Sequence, residues 1–228
     1  MKAVIVTGGA GGIGTAIVAD LTAAGYSVAV LDRVPADGAS ESHVVDVSDE
    51  AAVTALIGDI AERHGGVEAL VCAAGLVRED PVTEMSLAGW RDVIDASLTG
   101  TFLAARAVLP SMIAARTGAI VAFSSGYATS GYRNGANYAA AKAGVEALIK
   151  SIALENAEHD IRANCIAPGP IETSMLKPER AAFIGPRIPM QRVGQPRDVV
   201  GLVRYLIGEE SSYVTGQTIH VNGGLLMP

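Results

Sequence analysis

Three observations predict a doubly wound α/β fold on a mostly parallel, seven-stranded sheet. Short apolar runs alternate with longer helical patterns, and the runs are apolar throughout rather than at every second residue. A glycine-rich turn joins the first run to the first helix. Continuous apolar strands belong to a sheet covered on both faces. Strand–helix alternation predicts parallel strands joined by right-handed crossovers. In chain order, the run Ala3–Thr7 precedes a helix with Ile13, Ile17 and Leu21 on one face and Gly25 as its stop. Ser27–Leu31 and His43–Val45 follow, then a second stripe of Val53, Leu56, Ile57 and Ile60. Ala69–Cys72, Ala119–Phe123, Arg162–Ile166 and Thr218–Val221 complete the strands. No repeat, low-complexity stretch or linker intervenes, so one domain over 1–228 is expected.

Composition narrows the function. Of 228 residues, 50% are apolar and 18% charged, enough for a large core and too apolar for disorder. Aromatics at 4% and a net charge of −7 argue against a nucleic acid or an anionic membrane as partner. No apolar run approaches the roughly 18 residues of a membrane span. The first strand starts at Ala3, which leaves no room for a signal peptide. Cys72 and Cys165 lie far apart in apolar stretches and are expected as buried free thiols in a cytoplasmic protein. His43, His64, His159 and His220 show no metal-ligand spacing.

The turn Thr7-Gly8-Gly9-Ala10-Gly11-Gly12-Ile13-Gly14 sits where such sheets bind ligands, beyond the carboxyl end of a strand. Glycines let backbone N–H groups approach a pyrophosphate at a helix N-terminus, where the dipole favours anions. Asp32, 18 residues after Gly14, ends the second strand. A carboxylate there accepts from both adenosine ribose hydroxyls and repels a 2′-phosphate, which favours NAD over NADP. The neighbouring Arg33 could pair with a 2′-phosphate. Asp46-Val47 after the third strand is a second candidate contact, with Asp46 either at the adenine or starting the next helix.

Tyr138 and Lys142 are four residues apart in an Ala-rich helical stretch, so hydroxyl and ammonium share one face. A nearby cation is expected to lower the Tyr138 pKa and make it a general acid/base. Ser125 ends the preceding strand, 13 residues before Tyr138.

Taken together, the TGxxxGxG turn, Asp32, Ser125, Tyr138, Lys142, Pro168-Gly169 and the closing Val221-Asn222-Gly223-Gly224 resemble the short-chain dehydrogenase/reductase family, whose fold is of Rossmann type. The resemblance spans essentially the whole chain. It implies that Gly8, Gly12, Ile13 and Gly14 surround the pyrophosphate, Asp32 binds the ribose, and Ala74 and Gly75 line the nucleotide cleft. It implies that Tyr138 carries the proton, Lys142 holds the nicotinamide ribose, Ser125 binds the substrate oxygen, and Pro168, Gly169, Ile171 and Thr173 meet the nicotinamide. The stretch Met175–Gln191 would be a substrate lid, whose Met175, Leu176, Phe183, Ile184, Ile188 and Met190 face an apolar substrate or pack on the body. A homotetramer is also implied, built on helices around Thr101–Ala114 and Tyr138–Leu154 and on Leu225-Leu226-Met227.

Two positions depart from the family pattern. Cys72-Ala73 stands where an Asn usually links neighbouring strands. Ser97 stands where an Asn commonly joins the proton relay. The expected activity is NAD-dependent hydride transfer with a secondary alcohol or ketone, as in dihydrodiol or alcohol dehydrogenases. The alternative is an NADP-using 3-oxoacyl-thioester reductase, which Ile188-Pro189-Met190-Gln191-Arg192-Val193-Gly194 resembles, although a basic residue is usual where Gly11 stands. A non-catalytic nucleotide-binding relative is the remaining class.

Overall fold

A computed structural model of the chain describes residues 2–227. Strands β1 (Ala3–Thr7), β2 (Ser27–Asp32), β3 (Glu41–Val44), β4 (Val67–Cys72), β5 (Gly118–Phe123), β6 (Ile161–Pro168) and β7 (Thr218–Val221) form one sheet. Their order is β3-β2-β1-β4-β5-β6-β7, with every neighbouring pair parallel. The α-helices are α1 (Gly12–Ala23), α2 (Glu50–His64), α3 (Leu87–Ile94), α4 (Gly100–Ala115), α5 (Tyr127–Ser130), α6 (Ala136–Asn156), α7 (Pro178–Ile184) and α8 (Arg197–Ile207). Strand order reverses between β1 and β4, and the diverging crossovers open a crevice at their carboxyl ends.

Successive strand side chains point to opposite faces, which explains the unbroken apolar runs. Ala3 and Ile5 pack with Ile57, Val108 and Val145 from α2, α4 and α6. Val4 and Val6 pack with Ile17, Leu21 and Val203 from α1 and α8. Both faces of β1 are therefore core.

The third strand departs from expectation. It begins two residues early, at Glu41, and three of its four residues are polar. As the sheet edge it is only partly covered, and Val44 is 65% exposed. The Glu41 carboxylate ties it to the body, accepting from Arg63 Nη1 at 2.9 Å and lying 3.1 Å from His43 Nε2 and 3.0 Å from His64 Nε2. The next helix is started by Asp49, whose side chain accepts from Ala52 N–H at 3.0 Å. Asp46 is therefore not its cap, which removes one of its two expected roles.

The expectation of no span-length apolar segment needs correction. α3, a π-helical turn at Asp95–Thr99 and α4 run on as one helix, Leu87–Ala115, long and apolar enough by length and composition to cross a membrane. Its apolarity has a local cause: Val93, Leu103, Ala104, Val108 and Met112 are buried in this protein's own core.

Candidate functional site

The glycine turn is shaped by close approach. Gly8 has φ +72°, and a side-chain carbon there would stand 2.5 Å from Ala74 N. At Gly14 it would stand 2.0 Å from Gly8 O, so the turn and the first turn of α1 close only without side chains. A side-chain carbon on Gly12 would meet Thr173 at 2.8 Å, which seats the loop after β6 on the turn. No side chain caps α1 and its first turn, with Ile13 on it, carries no acidic residue. Its free N–H groups suit an anion.

Asp32 belongs to the same construction. One of its oxygens accepts from Ala10 N–H at 3.0 Å, fastening the end of β2 to the turn. Gly8, Asp32, Asp46, Val47, Ala74 and Gly75 all line one cleft of about 430 Å³. Arg33 and, from the later loop, Met175 line it too. Asp46 is held by the Ser48 N–H at 2.9 Å and the Ser48 hydroxyl at 2.7 Å, and these bonds hold its carboxyl below the usual range. The strand link expected from an Asn is supplied by Thr7, whose O accepts from Ala73 N–H at 3.0 Å and whose Oγ1 accepts from Ala74 N–H at 3.4 Å.

Ser125 does not end the strand as expected but lies two residues past the last residue of β5, Phe123, and Tyr138 and Lys142 stand one turn apart on α6. Asn137, fully buried, anchors the start of α6 by accepting from Tyr138 N–H at 2.8 Å and donating to Gly89 O at 3.3 Å. Lys142 Nζ donates to Phe123 O at 2.7 Å and lies 5.6 Å from the Tyr138 ring centre. The expected lowering of the Tyr138 pKa is not found. Burial pushes the phenol up, while its hydrogen bond with Ser125 pulls the other way. Burial also brings Lys142 down from 10.5 to about 8, and its ammonium is spent on a backbone carbonyl. Cys72 and Cys165 are buried free thiols, pushed up to about 12 by burial.

Ser97 lies within the π-helical turn, a distortion often kept at functional sites. Its Oγ is buried and has no hydrogen-bond partner among the described residues. A side-chain carbon on Gly75 would stand 3.2 Å from Ser97 Oγ and 3.5 Å from Lys142 Nζ. Gly75, a wall of the cleft, is thus the joint between the nucleotide side and the Ser97–Lys142 side.

Pro168 ends β6, and Gly169 N–H donates to Val221 O at 2.9 Å. Ile171 is buried and bridges to Gly194. In Met175–Gln191 the apolar residues divide: Ile188 packs against the body at Gly223, while Met175, Phe183 and Met190 are exposed. The segment also sends Arg180 inward, onto Glu79, Tyr127 and Tyr132. None of these four stands out in the sequence as a site residue. Two tyrosines between Ser125 and Tyr138 were the available signal; Arg180 is one of two arginines in its segment and carries none.

The comparisons agree with this geometry. A family model described as Enoyl-(Acyl carrier protein) reductase matches residues 8–226. The chain is 36% identical over 242 residues to a 3-oxoacyl-(acyl-carrier-protein) reductase of Staphylococcus aureus, covering 99% of this chain and 98% of that one. The enzyme of the same name from Escherichia coli is 35% identical over 240 residues, with the same coverage. Among solved structures, ligand-free aldohexose dehydrogenase of Thermoplasma acidophilum superposes with a TM-score of 0.94 at 33% identity, over 98% of this chain and 93% of that one. The crystal structure of gox2181 gives 0.92 at 35% identity, over 98% and 95%. Fold and site define an NAD(P)-dependent oxidoreductase acting on CH–OH and C=O groups. The chain belongs to the short-chain dehydrogenase/reductase family. A nicotinamide dinucleotide fits the residues present, since the bare glycines, the uncapped α1 N-terminus and Asp32 together form a cradle that side chains would fill.

Proposed function

We propose that the chain transfers a hydride between NAD and a secondary alcohol or ketone, with Tyr138 carrying the proton. The observation that supports this most directly is Gly75, which brings the nucleotide cleft against Lys142 and Ser97 with no side chain between. The nicotinamide supplies the hydride chemistry when bound. In this reading Gly8, Gly12, Ile13 and Gly14 hold the pyrophosphate. Asp32 takes the ribose hydroxyls, Asp46 and Val47 border the adenine, and Ala74 and Gly75 form the cleft wall. Pro168, Gly169, Ile171 and Thr173 border the nicotinamide. Lys142 orients the second ribose, and Ser125 donates to the substrate oxygen. Burial favours the protonated phenol, so Tyr138 gives its proton to a carbonyl oxygen in reduction; in oxidation the phenolate form of Tyr138 takes the proton from the alcohol.

Asp32 supports NAD, because a 2′-phosphate beside its carboxylate meets like charge. Asp32→Ala is expected to narrow or reverse a preference for NAD, with Arg33 then unopposed. Steady-state KM for both cofactors checks this, and equal use of both by the unaltered protein would count against it. The names of the curated relatives favour a second reading, reduction of a 3-oxoacyl thioester, which we pair with NADPH as the reductant. Assaying a 3-oxobutanoyl thioester beside secondary alcohols, with each cofactor, separates the two.

Ser97 is the expected seat of a relay water. Losing one neutral hydrogen bond costs about 0.5–1.5 kcal/mol, so Ser97→Ala should lower kcat about 2- to 13-fold. Its thermal stability should not fall, because the hydroxyl has no hydrogen-bond partner among the described residues. Unchanged kcat would remove Ser97 from the relay.

We also place the chain in a homotetramer. Phe102, Ile113 and Leu154 are exposed on α4 and α6, beside the small Ala143 and Ala147. Light scattering that returns a monomer at micromolar concentration would refute this.

A further inference from the structure

Beside Tyr138 lies a polar cluster that the proposed chemistry leaves unused. Arg180 of α7 donates from Nη1 to Glu79 Oε1 at 2.9 Å and to the Tyr132 hydroxyl at 2.7 Å. Its Nη2 donates to the Tyr127 hydroxyl at 3.0 Å. Tyr132 in turn donates to Glu79 Oε1. The rings of Tyr127 and Tyr132 stack at 4.1 Å and 7°, and the guanidinium lies 5.3 Å over Tyr132. Tyr132 meets Tyr138 edge-on, with ring centres 6.2 Å apart. The cluster therefore stands one aromatic ring from the Tyr138 phenol, under the segment that carries Arg180.

Its chemistry selects among substrates. Guanidinium and carboxylate neutralise each other, so there is no surplus charge to draw in an anionic group. Covering it with an alkyl chain would desolvate a guanidinium, a carboxylate and two phenols and return no hydrogen bond. Within the cluster, Tyr127 accepts from Arg180, and its own O–H has no acceptor among the described residues. Glu79 Oε2 likewise has no donor among them. A free donor and a free acceptor beside aromatic faces match neighbouring hydroxyls, each of which both donates and accepts.

We infer that Arg180, Glu79, Tyr127 and Tyr132 form a specificity subsite for a polyhydroxylated substrate, a vicinal diol or sugar-like polyol, whose reacting carbinol faces Tyr138. This deepens the proposed oxidation of secondary alcohols and rests on it. Arg180 acts on specificity, not on proton transfer.

Cyclohexanol, cyclohexane-1,2-diol and myo-inositol, one ring with increasing hydroxylation, test it with NAD as oxidant. The unaltered protein should show kcat/KM at least about tenfold higher for a polyol than for cyclohexanol. Arg180→Met should shrink that ratio about 10- to 100-fold, mainly through KM, as expected for lost bonds to a charged group. Tyr127→Phe keeps ring and fold and should shrink it about 2- to 13-fold. Thermal-shift protection of the NAD-loaded protein by myo-inositol, absent in Arg180→Met, reads binding without turnover. Cyclohexanol as best alcohol with NAD, or the 3-oxobutanoyl thioester as best substrate with reduced cofactor, with no protection by polyols, would overturn the subsite and leave the oxidoreductase reading standing. Polyol protection without any turnover would support the subsite and overturn the proposed reaction.

Discussion

Tyr138→Phe is expected to lower kcat by about 10²–10⁴, the usual worth of a positioned acid/base group. The change removes one hydroxyl and leaves the ring between Tyr132 and Lys142 in place. Burial raises the Tyr138 pKa, so the phenol is a neutral proton donor near pH 7 and its removal leaves no unpaired charge. Folding and NAD affinity should therefore survive, as judged by thermal melting and by fluorescence titration with reduced cofactor. The loss should be in kcat, with KM for NAD little changed. If more than a tenth of the activity persisted, Tyr138 would not be the proton carrier.

Gly14→Ala should be the most damaging single methyl group in the nucleotide site. The added carbon would lie 2.0 Å from Gly8 O and 2.8 Å from Gly9 Cα, contacts that only a backbone shift relieves. Overpacking of this kind costs about 1–3 kcal/mol or more. For a domain of this size that lowers Tm by roughly 2–12 °C. The shift also spoils the alignment of N–H groups at the start of α1, so cofactor affinity should fall along with stability. Gly58→Ala is the control. It sits inside α2 with nothing within 4 Å of the added carbon, and should be neutral or stabilising by about 0.5–1 kcal/mol. Equal melting of both variants would mean that the turn is more pliant than its contacts indicate.

The sheet and much of the site were legible because they depend on neighbours in the chain. Glycines at Gly8, Gly12 and Gly14 answer to a turn a few residues long. Tyr138 and Lys142 share a face because helical periodicity puts them there. Strands buried on both sides announce themselves by apolar runs. The edge strand β3 starts two residues before the apolar pattern predicts because Glu41 at its start is satisfied by Arg63 and His64, some 20 residues further on.

The sequence by itself determined the strand–helix alternation, the anion-ready turn, the acidic end of β2 and the Tyr–Lys pairing, all set by local geometry and periodicity. Tertiary structure alone decided the rest. It turned the expected lowering of the Tyr138 pKa into a rise, because desolvation depends on what covers a group and outweighed the hydrogen bond with Ser125. It replaced a missing Asn link with Thr7, and it brought Arg180 to Glu79 across 101 residues of chain. It also left Ser97 Oγ buried beside Gly75 with no partner among the described residues. Burial, charge screening and long-range hydrogen bonding are properties of the folded neighbourhood, and no spacing along the chain encodes them.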